Sequence, residues 1–323
     1  MTYCLGMKIK DGLIFMSDTR TNSGVDNVSS YKKMFTWTKN NKASITILTA
    51  GNLATTQALV SELNGRNISD NSRALELFSQ PTMFQASKFV GKKLKKIIDG
   101  NSNDGLRADS SFNATIILGG QIKGGEPRIF LIYPQGNFIE VSQDNPFFQI
   151  GETKYGKPIL VRGYDYEMGF SDAVKLMLLS FDSTVKANLS VGFPLDLHIY
   201  KADSFKEGKI KRIEADNKYY SKISNGWSKA LKSAFDSMPN FPIEWWQIRC
   251  VFLLNKKNKK SLHYFFKRNT YILKKETIIL GNNDLNIGYF PNHLKRDKPI
   301  LPIFITLVVY LFSIKKISHF FQL

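Results

Sequence analysis

Apolar and polar positions alternate through the first fifty residues. Thr2 to Ile9 and Gly12 to Ser17 are short β-rich runs separated by Lys10-Asp11, a pair suited to a hairpin turn. Lys42 to Ala50 (KASITILTA) is a third run, rich in β-branched residues. The period then lengthens. Asn52 is a good N-cap, and Leu53, Leu59, Val60 and Leu63 form an apolar stripe that ends at Gly65. A second helix is predicted from Thr82 to Asp99, with Phe84, Phe89, Val90, Leu94, Ile97 and Ile98 near one face and Gly100 as its stop.

Strand patterning returns at Phe112–Leu118, Arg128–Tyr133 and Asn137–Val141. Gly119-Gly120 and Gly124-Gly125 are expected in hairpin turns that need positive φ, because neither G-x-G-x-x-G nor a Walker motif surrounds them. A third helix spans Ser171 to Leu189, with Ser171 as its expected N-cap. Leu195–Lys201 and Lys209–Ile213 read as strands. Asn217 to Phe235 reads as a fourth helix, with Tyr220, Ile223, Trp227, Leu231 and Phe235 recurring at three- and four-residue steps before Pro239 and Pro242. Hairpins with grouped helices suggest two sheets between helical layers rather than an alternating β-α-β chain. The expected fold class is therefore α+β.

Residues 247–323 show no clear helical or strand period, which places an irregular extension after a domain of residues 1–246. Ile300 to Ile314 is an apolar stretch. As a helix it would span about 22 Å, against a hydrocarbon core of about 30 Å. Membrane contact of this segment is open but not favoured.

Composition changes this picture in one respect. The 323 residues carry a net charge of +18. Residues 247–323 hold 14 Lys/Arg against 3 Asp/Glu, a net of +11, whereas residues 1–246 hold 31 against 24, a net of +7. More than half of the excess sits in the last quarter, so a nucleic-acid partner is disfavoured for the main domain. The basic, aromatic run KKNKKSLHYFFKR leaves a nucleic-acid arm as the lesser alternative for the tail. Lys92, Lys93, Lys95 and Lys96 read as a solvated helix face before a phosphate site. Two cysteines, Cys4 and Cys250, cannot build a disulfide framework, and the start of the chain has no signal-peptide pattern; both point to the cytoplasm. Cys4 reads as a small buried hydrophobe and His198 as a core or edge residue, and no Cys/His spacing fits zinc.

The candidate chemistry is at the N-terminus. After Met1, Thr2 would carry a nucleophilic hydroxyl and, once Met1 is removed, a free α-amine with an ordinary pKa of about 7.7–8.0 that can accept a proton. Three further features accompany it: Asp18-Thr19-Arg20 at the end of the second strand, Tyr31-Lys32-Lys33-Met34 before the next, and Thr49-Ala50-Gly51-Asn52 at a strand-to-helix turn.

Together these resemble the proteasome-type family of N-terminal-nucleophile hydrolases. MTYCLGMKIKDGLIFMSDTRTNSGVDNVSSYKKM, LTAGNLATTQAL, IGETKYGKPIL and LLSFDSTVKANLSVGFPLDL look most like its bacterial ancestral beta-subunit branch, Anbu, over about residues 1–245. The resemblance implies a four-layer αββα sandwich, a homo-oligomer of rings or helical ring-like form, and a threonine-type peptidase that needs no metal or organic cofactor. It implies Thr2 as nucleophile, Lys33 beside its hydroxyl, Asp18 paired with Lys33, the Gly51 N–H as oxyanion donor and Arg20 as a structural residue. Lys32 is the neighbouring rival to Lys33, and an ordinary surface ion pair is the plain alternative for Asp18 and Lys33. Thr21, Tyr31, Phe35, Thr49 and Leu53 would line the pocket for an apolar side chain of a peptide or protein substrate.

The chain departs from the family where Gly151-Glu152 replaces a usual Gly-Ser and Asn188 replaces an Asp. Glu152, Thr153, Asn188 and Ser190 are the residues expected to rebuild that amine-orienting cluster. The departure keeps two alternatives open: a self-assembling scaffold that hydrolyses little, and a hydrolase of small amides.

Overall fold

The computed structural model describes residues 2–22, 28–64, 75–101, 112–242, 248–254, 260–268 and 271–279. Met1, Gly65 and the apolar stretch Ile300–Ile314, on which expectations rested, lie outside the described residues. The chain divides into two compact units, Met1–Met238 and Pro239–Leu323.

The first unit runs β1 (Tyr3–Ile9), β2 (Gly12–Asp18), β3 (Arg20–Asn22), β4 (Val28–Ser30), β5 (Met34–Lys39), β6 (Ala43–Gly51), α1 (Leu53–Asn64), α2 (Leu75–Ser79), α3 (Met83–Asn101) and β7 (Ala114–Ile122). It continues with β8 (Arg128–Ile132), β9 (Phe138–Glu140), β10 (Phe147–Gly151), α4 (Lys157–Gly163), α5 (Phe170–Ala187), β11 (Leu195–Lys201), β12 (Lys209–Ile213) and α6 (Lys218–Asp236). One five-stranded sheet has the order β10-β1-β2-β11-β12 and the other β5-β6-β7-β8-β9. Every pairing within them is antiparallel.

Three apolar clusters define the layers. Cys4, Leu13, Phe15, Leu48 and Ile117 fill the space between the sheets. Ile45, Ile47, Leu59, Val90, Leu94 and Ile116 join the second sheet to α1 and α3. Leu5, Ile14, Met16, Leu160, Met177 and Phe181 join the first sheet to α4 and α5. The alternation in β2 explains this division: Leu13 and Phe15 face the other sheet, while Ile14 and Met16 face the helices. The architecture is the expected αββα sandwich.

Sheet contact also corrects two expectations. Gly119-Gly120 lies inside β7 and not in a turn. A Cβ on Gly119 would stand 2.6 Å from Phe15 Cζ, so this glycine admits an aromatic ring from the facing sheet. Gly124, at φ +90, does occupy the turn after β7. Helix α5 begins at Phe170 with Gly169 as N-cap and no side-chain cap, so Ser171 is inside the first turn. Asn52 caps as expected, its Oδ1 accepting from Thr55 N at 3.0 Å; Asn217, read as the first helical residue, is instead the N-cap of α6, its Oδ1 accepting from Tyr219 and Tyr220 N at 3.0 Å each. Gly100 does not stop α3, which continues to Asn101. Helix α6 has no fully buried residue, and Leu231 and Phe235 are exposed on it.

The second unit contains a three-stranded antiparallel sheet, β13 (Ile248–Leu254), β14 (Lys260–Arg268) and β15 (Tyr271–Ile279). The tail is thus not wholly irregular. Runs such as Val251-Phe252-Leu253-Leu254 are continuously apolar, so they lack the alternation by which a half-buried strand is recognised.

Candidate active site

The site forms where β1 begins. Thr2 is held through its backbone: its carbonyl accepts the Glu152 N–H at 2.7 Å. That approach depends on Gly151, at φ +84, where a Cβ would overlap the Thr2 carbonyl oxygen. The next residue, Tyr3, donates its N–H to Asp18 Oδ1 at 2.9 Å. Thr2 and Tyr3 are therefore fixed from β10 on one side and from β2 on the other.

Asp18 ends β2 and is completely buried. Lys33 Nζ donates to Asp18 Oδ1 at 2.7 Å and to the Arg20 carbonyl at 2.5 Å. With side-chain exposures of 0% and 5%, this is not a surface ion pair. Burial pushes the Asp18 carboxyl above the ordinary carboxylate value, and Lys33 and the N–H groups of Tyr3 and Gly192 oppose that rise. Lys32 points elsewhere. It is exposed, with Nζ 5.6 Å from the Phe35 ring centroid. The lysine that pairs with Asp18 is Lys33, because the residue immediately before β5 turns inward.

The segment after α5 closes the site. Asn188 is the C-cap of α5. Its Nδ2 donates to Glu152 Oε2 at 3.0 Å, and its Oδ1 accepts the Ser190 N–H at 2.9 Å. Glu152 Oε1 also accepts the Lys154 N–H at 3.3 Å. Arg20 Nη1 donates to the Leu189 carbonyl at 2.9 Å, and its guanidinium crosses Gly192, which has no side chain to obstruct it. Gly192 N–H in turn points at Asp18 Oδ2, 3.4 Å away. Of the four residues expected to form a cluster, Glu152, Asn188 and Ser190 are joined, Ser190 through its backbone. Thr153 instead lines a cavity of about 440 Å³ with Gln149, Lys157, Val161 and Tyr164.

A family model and solved structures agree with this fold. The model described as proteasome subunit matches residues 2–199. The chain belongs to the proteasome subunit family. Among solved structures, an Anbu (Gly-1) mutant from Hyphomicrobium sp. strain MC1 is 47% identical, with 75% of this chain and 100% of that chain covered and a TM-score of 0.69. Anbu (ancestral beta-subunit) from Yersinia bercovieri is 42% identical at the same coverages and TM-score. The helical assembly of the Anbu complex from Pseudomonas aeruginosa is 37% identical, covering 75% of this chain and 98% of that one, with a TM-score of 0.68. No curated protein matches the chain. It is a proteasome-type protein of the Anbu branch.

Within this proteasome-type frame, Gly51 ends β6 at φ +111, exposed, and a Cβ there would collide with the Asn113 carbonyl. Leu53 opens α1 one residue further on, after Asn52. Phe35 pairs with Ile47 across β5 and β6 and packs against the cluster under α1. Thr49 is buried, two positions on from Ile47 and so on the same face. Phe35, Thr49 and Leu53 thus lie toward α1. Thr21 lies on β3, half-buried, and Tyr31 lies just after β4 with 39% exposure, its N–H donating to the Thr19 carbonyl at 2.8 Å.

Sequence reasoning missed a buried network directly behind Thr2. Gln149 Nε2 donates to Tyr3 Oη at 2.6 Å, and Tyr3 Oη shares a second hydrogen bond with Ser180 Oγ, also at 2.6 Å. Burial pushes the Tyr3 hydroxyl up to about 12, so it stays neutral. A Cβ on Gly156, the N-cap of α4, would overlap both Tyr3 and Ser180. One available signal was Gly156-Lys157-Pro158, a helix start with Pro in its first turn. Nothing in the sequence marks Tyr3 as more than a strand residue.

Proposed function

We propose that the protein is a threonine-type peptidase of the Anbu kind, acting through Thr2 after Met1 is removed. The observation that carries this reading is the buried Asp18–Lys33 pair, whose carboxylate also holds the backbone of the residue next to Thr2.

The α-amine of Thr2 takes the proton from its own hydroxyl as Oγ attacks a substrate amide carbonyl. Lys33, positively charged and fixed by Asp18, favours the developing alkoxide. The Gly51 N–H stabilises the oxyanion of the tetrahedral intermediate. The protonated α-amine then delivers its proton to the leaving amine, which departs and leaves an ester on Thr2. Water, deprotonated by the same amine, attacks that ester; the acyl product leaves and the hydroxyl is restored. Arg20 positions the Leu189–Gly192 segment, and Tyr31, Phe35, Thr49, Leu53 and Thr21 form the pocket for an apolar side chain. The relative from Pseudomonas aeruginosa forms a helical assembly, which supports self-association of this chain.

The Glu152–Asn188 pair favours a second reading, in which the assembly hydrolyses little or accepts only small amides. Intact mass and a panel of peptide and small-amide substrates test both. The first reading expects loss of Met1 and peptide turnover that vanishes in Thr2→Ala. Retained Met1, or turnover undiminished in Thr2→Ala, overturns it.

A further inference from the structure

Two carboxylates are tied to the first residues of the mature chain. Asp18 is engaged by Lys33. Glu152 is not: its carboxylate accepts from Asn188 Nδ2 and the Lys154 N–H, both neutral, and among the described residues it has no cationic partner. Yet its backbone abuts the nucleophile. The β1–β10 pairing sets Tyr3 opposite Gly151, and the Glu152 N–H bond to the Thr2 carbonyl extends that pairing by one step, to Thr2 opposite Glu152. Removal of Met1 converts the Thr2 nitrogen into an amine that is cationic below its ordinary pKa of about 7.7–8.0.

We infer that Glu152 is a positioning residue for this reaction: its carboxylate, steadied by Asn188, pairs with the Thr2 ammonium, orients it and keeps it protonated at neutral pH, so that the base is released only as pH rises. The inference rests on the reading of Thr2 as nucleophile, and it deepens that reading by giving the site a pH control. An opposite charge within about 4–6 Å raises an amine's pKa by about one to three units, and Glu152 is only half-buried, which sets the expectation near one unit. Among the other charges nearby, Asp18 from β2 is neutralised by Lys33, whereas Arg20 from β3, engaged on the uncharged Leu189 carbonyl, keeps its charge and works against the rise. The Lys154 side chain is exposed.

The experiment uses full-length chain with Thr2 exposed by cleavage of a removable leader and verified by intact mass. Acetylation of the α-amine by trace acetic anhydride is measured against pH and read by peptide mass. The midpoint is expected about one pH unit lower in Glu152→Gln than in wild type. It is expected to return in the double variant Glu152→Ser with Asn188→Asp, which moves the carboxylate to the other end of the same hydrogen bond. Equal midpoints in folded wild type and Glu152→Gln overturn the inference. If Glu152→Gln fails to fold, wild type alone decides. Raising salt to about 1 M shortens the screening length to about 3 Å and should lower its midpoint; no change overturns the inference. Parallel peptide assays separate the two ideas: a shifted midpoint without turnover at any pH removes the peptidase reading and leaves the pairing, whereas turnover with an unshifted midpoint does the reverse.

Discussion

Replacing Lys33 by Ala should damage both chemistry and folding, and the two effects can be separated. Asp18 is wholly buried, so removing its cation leaves a buried carboxylate with only the Tyr3 and Gly192 N–H groups as donors. Breaking a buried ion pair from one side costs about 3–5 kcal/mol, and the two remaining donors place this case near the lower end, ~3 kcal/mol. In a domain of this size each kcal/mol lowers Tm by about 2–4 °C, so the expected fall is about 6–12 °C. The penalty belongs to the ionised carboxylate, whose folded pKa then lies further above its unfolded value. It is therefore largest at neutral pH and shrinks as pH falls and Asp18 is protonated. Thermal melts at pH 7 and pH 4.5 read this directly. The double variant Asp18→Asn with Lys33→Met, which carries no buried charge, should recover most of the stability and none of the turnover. A Lys33→Ala melt equal to wild type at pH 7, or a deficit that does not narrow toward pH 4.5, would refute the reasoning.

Gly151→Ala should displace Thr2 and lower turnover by at least about 100-fold, since a misplacement of about 1 Å at a reacting group costs that much; wild-type rates would show that Gly151 does not set the position of Thr2. His198 is buried between the sheets, with Nδ1 accepting from Thr46 Oγ1 at 2.9 Å and Nε2–H donating to the Glu207 carbonyl at 2.6 Å. Burial holds its pKa below the ordinary 6.5, so its contribution is present above that pH and is lost as pH falls through 6.5 toward the folded value. Urea midpoints should decline more steeply between pH 7.5 and 5.5 in wild type than in His198→Gln; parallel declines would count against this. A chain ending at residue 246 should fold and self-associate like the full one, because the clusters that bind the layers together draw only on residues up to Tyr220. Unfolding, or a smaller assembly by size-exclusion chromatography with light scattering, would contradict that.

The order of strands and helices was legible because most elements bury one face and keep a clear period. β11 and β12 fall on their expected residues, and α1, α3 and α6 lie within two residues of theirs. The Asp18–Lys33 pair could be read from position, but its burial could not, since a charged residue carries no mark of being enclosed. The short helix α4 escaped because seven residues hold too few turns to show a period. Gly119 was misread because the need for a glycine there comes from Phe15, about a hundred residues earlier, and no local pattern reports that contact. The Tyr3–Ser180–Gln149 network was hidden for the same reason, since its members meet only once two strands and a helix have assembled.

Thr2 is gripped by its main chain alone: its carbonyl is held by Glu152, the amide that follows it by Asp18, and it rests against a residue with no side chain. Such a mount does not read which amino acid it carries. Serine or cysteine at position 2 would be presented in the same place, with the same neighbours, so the fold works as an interchangeable holder for a terminal reactive group. On the proposed function, exchanging that one residue would change the warhead while the scaffold stays as it is, which makes position 2 a natural place to graft chosen reactivity onto a proteasome-type fold.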